Sequence, residues 1–395
     1  MKVNDIYEVT IDSVDINGNG VTRINNIVTF IPNALSNERL KIKITEVNER
    51  YSIAEIINII ESNNKRYNIT CPYYNLCGGC NFLHTSYEEE MNIKLNNLEK
   101  LFNHKINHIE NKNISNYRNK VTLHVLKGKI GYFNNKTHDL CEIDQCNLLD
   151  HKINLKINEI KKYNLTNIEE IMIRSINNQI MIHIKTNNEN NDIKNIECDS
   201  LYINDKHIKG KEYLIDEINN LKFSIYPNSF YQINKEGMTN IYNKTLDYAG
   251  KGNNLIDLYC GTGTIGLWLK NNFNNILGIE INESSIKNAN INKELNNVKN
   301  ITFKLGDASI INKHINNIDT ILVDPPRAGL SKSVINTLNN SKSNKIVYIS
   351  CNPKTLKRDI DKLTNYKLKD ISACSMFPRT KHIECVCLLT KKIEV

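Results

Sequence analysis

From about residue 225 onward the chain alternates short aliphatic, β-branched runs with helical stretches, and this alternation constrains the fold more than any other feature. Leu255-Ile-Asp-Leu-Tyr-Cys leads into Gly261-Thr-Gly263-Thr-Ile-Gly266 and a helix. Ile276-Leu-Gly-Ile-Glu280 forms a second strand ending in an acid, and a helix follows over 284–296. A strand over 301–305 runs into Gly306-Asp307, and Thr320-Ile-Leu-Val runs into Asp324-Pro325-Pro326-Arg327. After a further helix, Lys345-Ile-Val-Tyr-Ile-Ser delivers Cys351 to a turn enforced by Asn352 and Pro353. Two late strands fall near 366–375 and 382–390. Strands separated by helices predict an α/β, Rossmann-like, mostly parallel sheet. Binding residues in such sheets gather beyond the carboxyl ends of the strands. The glycine loop, Glu280, Asp324 and Cys351 all fall on that edge.

The chemistry of that edge can be read residue by residue. A glycine loop alone points to nucleotide binding in general. Glu280, an acid ending the second strand, can grip a ribose diol, and a dinucleotide enzyme would share both features. The two prolines after Asp324 hold a rigid extended loop, and such loops resemble the target-base platforms of S-adenosylmethionine-dependent methyltransferases. Cys351 faces a helix N-terminus, which can lower a thiol pKa and make a nucleophile; a lone cysteine is also a common small core residue. Met376-Phe-Pro-Arg-Thr-Lys-His382-Ile-Glu384 places a His and a Glu at the start of the last strand. A thiolate that adds to C6 of a uracil makes C5 nucleophilic, and the C5 proton must then be removed. Glu384 in a partly dry pocket suits that role better than His382.

Upstream the pattern is different. Residues 1–60 alternate like a small β-barrel, with Ile6-Tyr-Glu-Val-Thr-Ile, Val28-Thr-Phe-Ile and Leu40-Lys-Ile-Lys-Ile as strands and Asn17-Gly18-Asn19-Gly20 as turn chemistry. Residues 61–225 read as a β-rich central domain, and 226–395 as the catalytic domain. In the central part Cys71, Cys77 and Cys80 fall within ten residues, with Gly78 and Gly79 between them. Thiols this close indicate zinc or an iron–sulfur cluster, with Cys141, Cys146 or Cys198 as the fourth ligand. Met91, Leu95, Leu98 and Phe102 have helical spacing and predict a helix over about 88–103, expected to pack on the catalytic domain. Tyr117, Arg118 and Lys120 precede a strand and can meet RNA by stacking and phosphate pairing, or simply edge the strand in solvent. The formal charge of +8 fits an anionic partner, although lysine-rich codon usage would also produce it. Eleven cysteines without an export signal favour metal or catalytic uses over disulfides, and a cytoplasmic location.

The opening stretch resembles a TRAM domain, an OB-like RNA-binding barrel, through Gly18-Asn19-Gly20-Val21, Phe30-Ile-Pro-Asn-Ala-Leu35 and Glu38. Asn228-Ser-Phe-Tyr-Gln232-Ile-Asn, Asp257-Leu-Tyr-Cys-Gly, Asp324-Pro-Pro-Arg, Ser350-Cys351-Asn-Pro and His382-Ile-Glu384 together resemble the RNA uracil-5 methyltransferase family, over essentially the whole chain. The resemblance implies that Cys351 is the nucleophile and Glu384 the base. It implies S-adenosylmethionine contacts from Gln232, Tyr259, Thr264, Glu280, Asp307 and Asp324, with Thr264 standing where many members carry Asn. It further implies a [4Fe–4S] cluster on Cys71, Cys77, Cys80 and Cys146, the family's spacing favouring Cys146 over Cys141. The TRAM-like start and the cysteines point to 23S rRNA as substrate. A tRNA uridine, or a non-catalytic RNA-binding or ribosome-assembly role, are the alternatives. Neither a membrane nor an obligate protein partner is expected.

Overall fold

The computed structural model describes residues 1–134, 137, 139–188, 192–309 and 317–392. The chain divides into two compact units, Met1–Ile106 with Phe377–Ile383, and Asn107–Met376 with Glu384–Val395.

In the first unit six strands hydrogen-bond in the order Ile6–Thr10, Arg39–Val47, Tyr51–Glu61, Ile27–Pro32, Asn19–Ile24, Ser13–Val14. Alternation drives this, because every second side chain (Leu40, Ile42, Ile44) enters a core with Ile11, Ile24, Ile31, Ala34 and Ala54. The expected turn at Asn17–Gly20 is present. Asp15 Oδ1 accepts from the N–H groups of Asn17 and Asn19 at 2.9 and 2.8 Å. Helix Tyr87–Phe102 starts on a Ser86 cap with three acids in its first turn. Its Glu90 and Lys94 are fully buried and paired at 2.7 Å. Arg379 completes the network, donating its backbone N–H to Glu90 at 3.0 Å and its guanidinium to the Thr85 carbonyl at 2.6 Å.

In the second unit a seven-stranded sheet runs Leu140–Glu142, Lys129–Phe133, Lys120–Leu126, Ile168–Ile176, Gln179–Thr186, Ser200–Ile203, Lys206–Gly210. Helix His151–Ile160 buries Ile153, Ile157 and Ile160. Hairpins here turn on Asn-Asn pairs: Asn177–Asn178 and Asn219–Asn220 all have positive φ between 47 and 68°, which asparagine tolerates better than most residues.

The same unit holds an eight-stranded sheet in the order Ile301–Leu305, Phe273–Glu280, Gly252–Leu258, Thr320–Val323, Lys345–Ser350, Glu384–Lys391, Tyr366–Cys374, Asn107–Ile109. The first five strands are mutually parallel, as the strand–helix alternation requires. Glu384–Lys391 runs antiparallel between its two neighbours. The edge strand Asn107–Ile109 lies about 260 residues from its partner in sequence, and no local pattern announces it. Strand order changes direction between Gly252–Leu258 and Thr320–Val323, the kind of switch point at whose carboxyl ends ligands bind in open α/β sheets.

Candidate active site

Strand register creates the central juxtaposition. Lys345–Ser350 pairs antiparallel with Glu384–Lys391, ending at Ser350 opposite Cys385. Cys351 follows Ser350 and Glu384 precedes Cys385, so the two flank that last pair, and the charge of Glu384 acts on the Cys351 thiol. Cys351 is half-buried at the start of helix Pro353–Lys362, which Asn352 caps by accepting from the Lys354 N–H. Burial pushes the Cys351 thiol up and the negative charges of Glu384 and Asp324 add to this, while the charge and hydrogen bond of Arg327 pull it down. Glu384 is 7% exposed; burial raises its carboxyl to about 8, Asp324 adds to the rise, and Arg327 opposes it. Burial likewise takes Asp324 to about 7.

The Asp324–Arg327 loop is held by the helix that follows the thiol. The Arg327 carbonyl accepts from Asn352 Nδ2 and Thr355 Oγ1, both at 3.2 Å. Arg358 donates to the Ala328 carbonyl at 2.8 Å. Asp359, fully buried, accepts from the Leu330 N–H at 2.7 Å and from Tyr348 Oη at 2.8 Å. Gly329 has φ +78°, and a Cβ there would lie 2.4 Å from Asp359 Oδ2, so only glycine fits both the turn and the approach.

The glycine loop leaves strand Gly252–Leu258 through Tyr259, a non-glycine residue at φ 62°. Gly263 turns at φ +77°, where a Cβ would meet the Phe303 ring at 2.4 Å. Glu280 accepts from the Gly261 N–H at 3.1 Å and the Asn282 N–H at 2.8 Å, which fixes its carboxylate beside the loop. Burial pushes the Tyr259 hydroxyl up to about 12, with Asp307, Asp359 and Glu280 contributing. Asp307 is exposed, and hydrogen bonds from Ser309 hold its carboxyl below its usual range. Thr264 Oγ1 shares a 2.8 Å hydrogen bond with Tyr242 Oη. The Gln232 carbonyl accepts from Asn119 Nδ2 at 3.1 Å. Acids around a positive-φ backbone loop suit a cationic ligand that carries a ribose diol.

Three residues outside the expected set belong to this neighbourhood. Asp257 is 1% exposed, with the Gly266 N–H facing its carboxylate. Burial raises it to about 8, Asp324 adds to this, the Gly266 N–H opposes it, and Glu280 adds a little more. Arg327 and Asp359 act as described above. Asp257 and Arg327 stand inside recognisable motifs, so sequence located them without a role; nothing local singled out Asp359.

The cysteines lie elsewhere. Cys71, Cys77 and Cys80 surround the single-turn helix Tyr74–Cys77, which Gly78 ends at φ 63°. Burial pushes the hydroxyl of Tyr74 well above its usual range, and the thiols of Cys80 and Cys71 contribute. Cys146 lies in the loop before helix His151–Ile160, where its N–H donates to Asn154 Oδ1 at 2.9 Å. Cys141 is buried in strand Leu140–Glu142 and Cys198 is half-buried. Among the described residues no three His, Cys, Asp or Glu side chains are arranged to hold a metal ion. The thiol donors of Cys71, Cys77 and Cys80 suit a soft metal centre. His382 is in the Phe377–Ile383 segment, its ring 5.9 Å edge-to-face from Phe377.

Residues 34–392 match the family model described as tRNA (Uracil-5-)-methyltransferase, and residues 1–57 match the TRAM domain. An uncharacterized RNA methyltransferase of Staphylococcus aureus is 32% identical, the alignment covering 98% of this chain and 99% of that protein. One of Clostridium tetani is also 32% identical, covering 99% and 97%. Among solved structures, the Pyrococcus abyssi tRNA (uracil-54, C5)-methyltransferase in complex with S-adenosyl-L-homocysteine is similar with a TM-score of 0.84 and 26% identity, over 97% of this chain and 99% of that one.

Proposed function

The chain belongs to the RNA uracil-5-methyltransferase family and carries a TRAM domain; from that membership we propose that it methylates C5 of a uridine in 23S rRNA, with S-adenosylmethionine as methyl donor. The observation that supports this reading is the strand register that ends next to Cys351 and Glu384, two groups that both feel the charges of Asp324 and Arg327. In the proposed reaction the target base leaves its stack and the Cys351 thiolate adds to C6. The C5 carbon thereby gains the electron pair that forms its new bond, and the bound sulfonium supplies an electrophilic methyl. Glu384 takes the C5 proton, and the returning electrons expel the thiolate and restore the double bond. Gln232, Tyr259, Thr264, Glu280, Asp307 and Asp324 are the proposed cofactor contacts. Thr264 reaches that role only by sharing its hydroxyl with Tyr242. The TRAM domain and the central sheet would grip RNA by shape and phosphate contacts.

A second reading, methylation of a tRNA uridine, is favoured by the similarity to the archaeal tRNA enzyme over nearly the whole chain. Purified protein with labelled S-adenosylmethionine, offered 23S rRNA and tRNA transcripts separately, decides between them. Incorporation into rRNA supports the first, incorporation into tRNA alone selects the second, and none into either overturns both. A [4Fe–4S] cluster on Cys71, Cys77, Cys80 and Cys146, with zinc as alternative, is also proposed. Its support is the three thiols within ten residues. Iron and zinc quantitation on anaerobically prepared protein tests it. Iron that is lost in Cys77→Ser is the expected result, and metal-free protein overturns it.

A further inference from the structure

On one face of the seven-stranded sheet two cations stand side by side, and among the described residues neither forms an ion pair. Lys120 and Arg174 are directly opposed where Lys120–Leu126 meets Ile168–Ile176, so both side chains leave the sheet on the same face. The titratable neighbours on that face of these three strands are Glu170, Lys185, His124 and His183, from the same register. Both acids nearby have other partners. Glu170 pairs with Lys185 at 2.9 Å. Asp205 lies 3.4 Å from His183 and accepts from Asn228 at 2.8 Å. Among the described residues Lys120 forms no ion pair. Arg174 is 1% exposed. Among the described residues its guanidinium reaches the Ser229 carbonyl, at 3.3 Å through Nη2, while Nε and Nη1 have no hydrogen-bond partner there.

Like charges facing across a ladder destabilise a sheet, and a buried cation without partners costs more. Burial holds the Lys120 ammonium down to about 8, with the charge of Arg174 adding to the effect and that of Glu170 opposing it. An arrangement of this kind is relieved by an anion from outside the fold. The pair is also fastened to the segment that carries Gln232. Asn119, next to Lys120, donates Nδ2 to the Gln232 carbonyl and its N–H to the Ile233 carbonyl at 2.9 Å, while Arg174 holds Ser229.

We propose that Lys120, with Arg174 beneath it, is a docking point for one phosphodiester of the RNA substrate, adjoining the segment that presents Gln232. The inference rests on the RNA-methyltransferase reading for the identity of the anion. Lys120, half-buried, makes the direct contact. Arg174 is a positioning residue that adds charge from below and ties the contact to Ser229.

The test is direct binding of labelled 23S rRNA and tRNA transcripts to the full chain across a salt series, together with methyl incorporation. In Lys120→Met the RNA affinity should fall about tenfold. The slope of log affinity against log salt should become shallower by about 0.7 to 0.9, the release from one phosphate. Lys120→Arg should restore both, and calorimetric S-adenosylmethionine affinity should match the wild type in both Lys120 variants. Arg174→Lys should weaken RNA binding while keeping the slope of the parent. A wild-type slope in Lys120→Met overturns the docking site, because a purely structural role would change melting but not ion release. RNA that binds without being methylated would instead refute the methyltransferase reading and leave the docking result standing.

Discussion

Glu384 must be charged to accept a proton, yet its surroundings oppose that charge. Burial and Asp324 lift it to about 8, and the same burial lifts the Cys351 thiol. In the proposed reaction both groups work deprotonated, so kcat/KM should rise with pH from 6 towards 9, more steeply than first order at the acid end. A profile flat across that range would remove Glu384 and Cys351 from the reaction. Arg327 is a cation acting on both, so Arg327→Met should shift the rising limb upward by about one pH unit, read from the same profiles. Cys351→Ala should abolish methyl transfer, whereas Glu384→Gln should accumulate a covalent RNA–protein adduct visible on denaturing gels. Release of product at the normal rate by Glu384→Gln would place the base elsewhere. The placement of Cys351 and Asp324 just after a strand and of Glu384 at the start of one was legible in the sequence. The influence of Arg327 was not, since it depends on how a loop folds back over the thiol. Arg174 was hidden for a related reason: a basic residue in a strand reads as a solvated one until its burial is seen.

The loop from Asp324 to Leu330 and the helix Pro353–Lys362 behave as one element, joined through Arg327, Ala328 and Asp359. Position 329 is where that joint is least tolerant. Gly329→Ala would put a side chain at φ +78° and 2.4 Å from Asp359 Oδ2. The left-handed conformation alone costs about 1–2 kcal/mol, and moving Asp359 disturbs the buried Tyr348 hydroxyl. Denaturant unfolding should show a loss of about 1–3 kcal/mol, and kcat/KM should fall about tenfold, because Asp324 begins the displaced loop. Unchanged activity in Gly329→Ala would show that the loop's anchoring does not position Asp324. The strands and helices of this region were readable from hydrophobic periodicity, but this joint was not, since a glycine carries no mark of its φ. Asparagine raised the opposite difficulty. Its abundance looks like codon bias, yet Asn177–Asn178 and Asn219–Asn220 make hairpin turns that composition conceals.

At the scale of the whole chain, the parallel sheet was legible from alternation, while membership of the compact units was not. Phe377–Ile383 belongs with Met1–Ile106, through bonds from Arg379 to Glu90 and Thr85 that span nearly 300 residues. Among the described residues no helix is long and apolar enough to cross a membrane. Stability should carry a global signature of the buried acids. Asp257 and Glu384 reach about 8 and Asp324 about 7, against unfolded values near 4. A carboxyl raised in the folded state binds its proton more tightly there than in the unfolded chain. Its contribution is therefore complete below about pH 4 and declines as pH rises towards 8, by at most about 1.4 kcal/mol per pH unit per group. The single tryptophan, Trp268, is 6% exposed and lies in the same unit as all three acids, so its fluorescence reports the unfolding that matters. Without cofactor, the denaturation midpoint read from Trp268 should fall between pH 5 and 8. Asp257→Asn should flatten that fall and leave the protein more stable than wild type at pH 8. A midpoint that rises over this interval would mean that the three acids are already ionised in the folded protein, and that the site is wetter than its burial indicates.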